Sequence, residues 1–176
     1  MKELLILARE AIKSGFDNKE LKIPENIKKK NSEKKASFVT LTKNGQLRGC
    51  IGSLYPHQEL YKDVVENALH AAFDDYRFTP LKKSEFHEIK IEVSVLSIPK
   101  KIQFKNEKEL LNKIEKNMGI ILKKGFNSAT FLPQVWEEIP DKIDFLEELS
   151  LKAGMKKDDW KTSEVYSYRV EKVKEK

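Results

Sequence analysis

Residues 47–52 read Leu-Arg-Gly-Cys-Ile-Gly and contain the only cysteine in the chain. A thiol flanked by glycines and preceded at two residues by an arginine could act as a nucleophile, a redox centre or a point of covalent attachment. Arg48, two residues before Cys50, would favour the thiolate if both side chains share a strand face. Gly49 and Gly52 would let a bound molecule approach the backbone. The same residues also fit a simpler reading, in which the cysteine is a small core residue and the glycines relieve crowding. A cysteine nucleophile needs a base. The chain offers His57, His70 and His87, and only His57, just beyond Pro56, lies close in sequence.

Other residues could serve the same site. Arg77 and Glu92 are charged residues with apolar neighbours; with Arg48 they could line a cleft for an anion, or they could form a structural ion pair that closes the turn over residues 74–80. Lys152, next to an Ala-Gly helix end, suits a cation complementing the helix dipole. Nothing points to a metal: Cys-x-x-Cys, paired histidines one helical turn apart and an Asp-rich calcium loop are all missing. There is no phosphate loop or dinucleotide fingerprint either, so no cofactor is expected.

These residues need elements to position them. Asn44-Gly45 joins Phe38–Thr42 to Gln46–Gly52 as a hairpin with a type I′ turn. A regular two-residue turn pairs Leu47 with Thr42, Arg48 with Leu41 and Cys50 with Val39, which puts Arg48 and Cys50 on one face with Leu41 and Val39. Helical spacing places Leu4, Leu7, Ala8, Ala11 and Ile12 on one stripe over residues 3–13, ended by Ser14-Gly15. Residues 16–36 read as a lysine-rich loop or short turns. Tyr61, Val64, Val65, Ala68, Leu69 and Ala72 mark a helix over 59–73. Residues 91–95 alternate as a half-buried strand with Glu92 and Ser94 on its polar side. Further on, Asn106 caps a helix over 107–117. Two short strands flank Lys-Lys-Gly-Phe-Asn, and Pro133 opens a helix reaching Glu138. Asp144 with Glu147 forms a capping box for a helix to Ala153. Val165–Val170 is a last strand before a frayed, charged tail. Helices mixed with hairpins give an α+β class.

The chain has 176 residues, enough for one domain with two lobes, and a formal charge of +6. The expected lobe boundary falls after Pro99, near 98–118, with a smaller lobe around 99–135. Apolar runs are too short to span a bilayer, the N-terminus makes a poor signal peptide, and one cysteine cannot form an internal disulfide. The expected compartment is therefore the reducing cytoplasm, with no membrane partner. Only four basic residues are arginine, Arg9, Arg48, Arg77 and Arg169. Lys28–Lys35 could meet nucleic-acid phosphates, but acids are interleaved throughout and no aromatic-basic RNA-binding strand occurs, so nucleic acid is the minor expectation.

Taken together, several stretches resemble the AMMECR1 domain: Leu-Arg-Gly-Cys-Ile-Gly after a Phe-Val-Thr-Leu strand; Ala71-Ala72-Phe73 with Asp75, Arg77-Phe78 and Pro80-Leu81; Ile91 to Leu96; Gly119-Ile120; Phe131 to Val135; and Phe145-Leu146 leading to Leu151-Lys152-Ala153-Gly154. The resemblance covers about residues 1–171. It implies a two-lobed α+β fold, a larger lobe with an antiparallel sheet flanked by helices and a smaller α/β lobe, with the signature hairpin near the cleft. It implies no established reaction and leaves open whether the protein is an enzyme. It suggests a partner role beside a Memo-like protein and a radical SAM protein. Residues 138–144 depart from the family's usual Gly-Trp-Asp type of sequence, a change expected in a surface turn. Two functions follow as expectations: a site around Arg48, Gly49, Cys50, Gly52, Arg77 and Glu92 that binds a small molecule or peptide, with Cys50 as the candidate reactive group, or a non-catalytic module that docks such a partner.

Overall fold

The N-terminal apolar stripe forms helix α1 (Lys2–Phe16), which runs past the Ser14-Gly15 stop. Gly15 stays helical because of what it touches: a Cβ there would lie 2.6 Å from the Phe73 ring and 2.9 Å from Leu69. The glycine thus serves close helix–helix packing rather than termination. This computed structural model describes residues 1–17 and 19–176. They divide into two compact units, residues 1–96 with 171–176, and residues 97–170.

The first unit is built on a four-stranded sheet in the order β2-β1-β3-β8, comprising β1 (Ala36–Lys43), β2 (Gln46–Gly52), β3 (Ile89–Leu96) and β8 (Val170–Lys174). β1 pairs antiparallel with both β2 and β3. Helix α1 and helix α3 (Leu60–Phe73) pack on one sheet face. Leu4, Ala8, Ile12, Val64, Ala68, Val39, Leu41, Ile91 and Val93 form their shared core. Burying each such aliphatic side chain stabilises the fold by about 1.5–3 kcal/mol, which favours a helix with a continuous apolar stripe over local alternatives. The lysine-rich stretch includes one short helix, α2 (Glu25–Lys30), entered through Pro24.

The second unit holds a sheet in the order β4-β7-β5-β6, with β4 (Lys100–Lys101), β5 (Gly119–Lys124), β6 (Asn127–Phe131) and β7 (Glu164–Tyr168). Helix α4 (Glu107–Lys113) is capped by the Asn106 side chain, which accepts from the Glu109 N–H. It is shorter than its periodicity suggests, because Ile114 turns extended and fully buried. Helix α5 (Val135–Glu138) places Trp136 flat on Phe145, with ring centroids 3.6 Å apart. Helix α6 (Lys142–Lys152) starts three residues before the expected capping box: Asp141 is its cap, accepting from the N–H groups of Ile143 and Asp144. Gly154, at φ 73°, follows its end as expected.

The C-terminal strand also differs from expectation. Instead of one strand and a frayed tail there are two strands, β7 and β8, in different sheets. The change falls at Arg169, whose backbone N–H is taken by the Ser97 hydroxyl and whose carbonyl accepts from the Ser97 N–H.

Candidate functional site

Asn44 and Gly45 have φ values of 52° and 78°, both left-handed, as a type I′ turn requires. The hairpin starts in the expected register, Lys43 opposite Gln46 and Thr42 opposite Leu47. Then it slips: Leu41 faces Gly49, Thr40 faces Cys50 and Val39 faces Ile51. Arg48 is the extra residue of a β-bulge. The expectation that Cys50 shares a face with Leu41 and Val39 is therefore corrected. Leu41 and Val39 are fully buried toward the helices, and Cys50 lies on the opposite face with Thr40.

Packing against α3 accounts for the bulge. A Cβ on Gly49 would sit 2.1 Å from the backbone carbonyl oxygen of Ala71, so only glycine fits against the helix there. Without the extra residue, Arg48 would occupy the position opposite Leu41. Gly52 is likewise filled, since its Cβ would lie 2.3 Å from the Phe38 ring. Both signature glycines answer to packing within the fold.

Each arginine of the site is held by a carboxylate. Arg48 donates through Nε and Nη2 to Glu85, at 3.1 and 3.0 Å. Glu85 sits on a 3₁₀ turn (Lys83–Glu85) and also accepts from the Lys82 N–H and Lys43 Nζ. Arg48 and these contacts hold the Glu85 carboxyl down at about 2. Arg77 grips Asp75 through Nε (2.9 Å) and Nη2 (2.7 Å). The pair then closes on β2: Asp75 Oδ2 accepts the Cys50 N–H at 2.9 Å, and Arg77 Nη2 donates to the Cys50 carbonyl at 2.9 Å. Because β2 is an edge strand, its outward peptide groups lack a neighbouring strand. At Cys50 the Asp75–Arg77 pair takes that place. The Arg77 guanidinium brings the Asp75 carboxyl to about 2.

The thiol itself is half-buried. Its Sγ lies 3.2 Å from the Thr40 hydroxyl, as suits a pair at a non-hydrogen-bonded position of the ladder. On the other side of β1, Thr40 faces Glu92 of β3. Cys50, Thr40 and Glu92 therefore form one row across three strands on the face away from α1 and α3. Glu92 is half-buried and, among the described residues, has neither a hydrogen bond nor an ion pair. His57 turns elsewhere, 3.6 Å from Asp63 Oδ1 and 3.9 Å from Glu66 Oε2. His70 and His87 are exposed.

One cluster escaped the sequence reading. Asp63 of α3 is 1% exposed. It accepts from the Ser37 N–H (2.8 Å), the Ser37 hydroxyl (2.6 Å), Asn67 Nδ2 (2.9 Å) and the Ser53 hydroxyl (2.5 Å). It pins the start of β1 and the end of β2 to the helix. The available signal was a pair of polar residues, Asp63 and Asn67, one turn apart among the apolar positions of α3.

With this geometry in hand, comparison with known proteins is specific. A family model described as AMMECR1 matches residues 5–173. The chain belongs to the AMMECR1 family. It is 41% identical over 167 residues to a protein of Nanoarchaeum equitans, covering 92% of this chain and 93% of that one. It is 40% identical to a protein of Aquifex aeolicus, covering 100% and 93%. Among solved structures, an uncharacterised protein of Pyrococcus horikoshii superposes with a TM-score of 0.89 at 35% identity, covering 99% of this chain and 90% of that one.

Other candidates in this AMMECR1 domain are placed as follows. Lys152 donates from Nζ to the Thr130 carbonyl at 2.9 Å and lies 4.9 Å from the Phe131 ring centre, and burial lowers its pKa. The basic run is threaded with carboxylates: Lys28 pairs with Glu25, Lys30 with Glu3 and Lys35 with Glu33. Among the described residues, no cluster of three or more His, Cys, Asp or Glu side chains could hold a metal, and no helix is long and apolar enough to cross a membrane.

Proposed function

We propose that this AMMECR1 protein is a binding module that receives a positively charged, hydrogen-bond-donating group of a small molecule or peptide at the Cys50–Thr40–Glu92 row. The observation that carries this is Glu92, a half-buried carboxylate on the thiol face that has no hydrogen-bond or ion-pair partner among the described residues. A carboxylate withdrawn from water is costly unless it is paired, and an amine or guanidinium supplies the missing donor. Arg48 and Arg77, by contrast, already hold carboxylates in two-point contacts. An anion would have to displace one of them, so the charge balance favours a cation over the anionic ligand suggested by the arginines alone.

In this reading Gly49, Gly52, Arg48 and Arg77 build and brace the strand, and Cys50 and Thr40 line the contact. Binding is favoured over nucleophilic chemistry because the thiol's hydrogen-bond partner is a threonine hydroxyl rather than a base. A reducing cytoplasm suits a working site with a free thiol.

The second reading is docking of a Memo-like or radical SAM protein beside the β2 edge of the first unit. It is favoured by Tyr76, 93% exposed between Asp75 and Arg77, and by Tyr55, 52% exposed just after β2. Tyrosine is enriched in protein interfaces.

Because the chain has a single cysteine, alkylation of the native protein with iodoacetamide reads this site alone. Arginine amide or spermidine should slow labelling of the wild type and have no effect on Glu92→Gln. Labelling that is insensitive to either amine in the wild type would refute the cationic-ligand reading.

A further inference from the structure

The sheet of the first unit has two edges. The β2 edge is closed at Cys50 by Asp75 and Arg77, whereas β8 is the other edge strand and pairs on its outer side with no strand among the described residues. The Glu175 N–H points inward to the Ile91 carbonyl, so backbone alternation turns the peptide groups of Lys172 and Lys174 outward. Beside that edge α1 leaves apolar surface uncovered. Ile6 is 63% exposed, and with Leu5 and Val173 it lines an open depression of about 380 Å³ between α1 and β8.

The charge around this depression selects the occupant. Arg9 is already spent on Glu175, at 2.7 and 2.5 Å, and on the carbonyls of Phe86 and Ile89. Glu10 lies 3.7 Å from Lys13. Lys2 and Lys174, which line the same depression, have no carboxylate partner among the described residues. The unpaired charge on the rim is therefore positive.

We infer that the β8 edge and the overhanging face of α1 form a docking groove for an extended segment of a partner protein, alternating apolar and acidic residues and added as a fifth strand. Its outward-facing backbone would pair with the free groups of Lys172 and Lys174. Its alternate apolar side chains would rest on Ile6, Leu5 and Val173, and its acids, turned to the other face of the strand, would meet Lys174. Lysines on an edge strand repel unwanted strand pairing, but they accept an acidic strand. They also argue against a second copy of this chain as occupant, because a copy brings the same lysines.

The test uses the full chain and a fluorescein-labelled peptide of about ten residues, a full strand's length, alternating valine and glutamate. An otherwise equal valine–lysine peptide is the comparator, and fluorescence anisotropy is the readout. The acidic peptide should bind, with the lysine peptide weaker by roughly tenfold or more, as expected of charge complementarity. Ile6→Glu acts on an exposed residue, and Lys174→Pro removes an outward N–H together with the Lys174 charge, both of which the groove uses. Each should weaken binding by roughly tenfold or more while circular dichroism stays unchanged. Cys50→Ser should bind as the wild type does, which separates this groove from the thiol face. No binding, equal binding of the two peptides, wild-type binding by both groove variants, or loss of binding in Cys50→Ser would each overturn the inference. So would a wild-type dimer in sedimentation that Ile6→Glu dissociates, since that would make the occupant a second copy.

Discussion

Replacing Asp75 with asparagine removes the charge that holds the β2 edge and changes little else in volume. The Asp75 side chain is 2% exposed and serves Arg77 and the Cys50 N–H together. Its carboxyl is brought from 3.8 to about 2, chiefly by the Arg77 guanidinium. At ~1.4 kcal/mol per pH unit that gap corresponds to roughly 2 kcal/mol of folding stability. An independent estimate agrees: an asparagine keeps one acceptor oxygen for donors on two sides, and a donor left without a partner costs about 1–3 kcal/mol. The sign follows from the direction of the change. A carboxyl lowered by folding stabilises the protein above its unfolded value near 4, and that contribution is lost as pH falls toward 2. Urea denaturation of wild type and Asp75→Asn, measured from pH 7 downward, should give a difference of about 2 kcal/mol at neutral pH that narrows steadily below pH ~4. A difference independent of pH, or one below ~0.5 kcal/mol at pH 7, would refute the clamp as an energetic feature.

Two further substitutions probe how the strand is seated. Gly49→Ala drives a Cβ to 2.1 Å from the Ala71 carbonyl oxygen and should cost about 3 kcal/mol or more. Gly45→Ala meets open space at φ 78° and should cost only about 1–2 kcal/mol; equal costs in denaturation curves would contradict the close approach to α3. Asp63→Ala leaves the Ser37 amide and two hydroxyls without an acceptor and should destabilise by about 3 kcal/mol or more. It should also speed hydrogen exchange at the Ser37 amide. A loss under ~1 kcal/mol would mean that the cluster is not what pins β1 to α3.

What could be read from the sequence was local. The hairpin turn was legible in Asn44-Gly45, since two successive left-handed residues have few other sequence solutions. Helix α3 was legible in its apolar spacing, and the AMMECR1 family in a set of motifs spread over most of the chain. What stayed hidden depends on partners distant in sequence. The bulge at Arg48 follows from the close approach of Gly49 to the Ala71 carbonyl on α3, a partner distant in sequence. Glu85 gave no hint that it would hold Arg48. The tail read as frayed because Val170–Lys174 carries little apolar content, yet it is an edge strand whose Val173 packs against the core of the first unit. Asp141 rather than Asp144 caps α6, an ambiguity inherent in two acids three residues apart ahead of a helix. That Glu92 lacks a partner among the described residues could not be seen at all, since pairing is a property of the whole packed surface.

The central claim is that the thiol face binds a cationic donor through Glu92, and the most direct measurement is the rate of Cys50 alkylation by iodoacetamide in the native protein, with and without arginine amide. Labelling that proceeds without denaturant, slows in a saturable way with arginine amide, and loses that sensitivity in Glu92→Gln is the expected result. Labelling that requires denaturant, or that ignores the amine in the wild type, would contradict it.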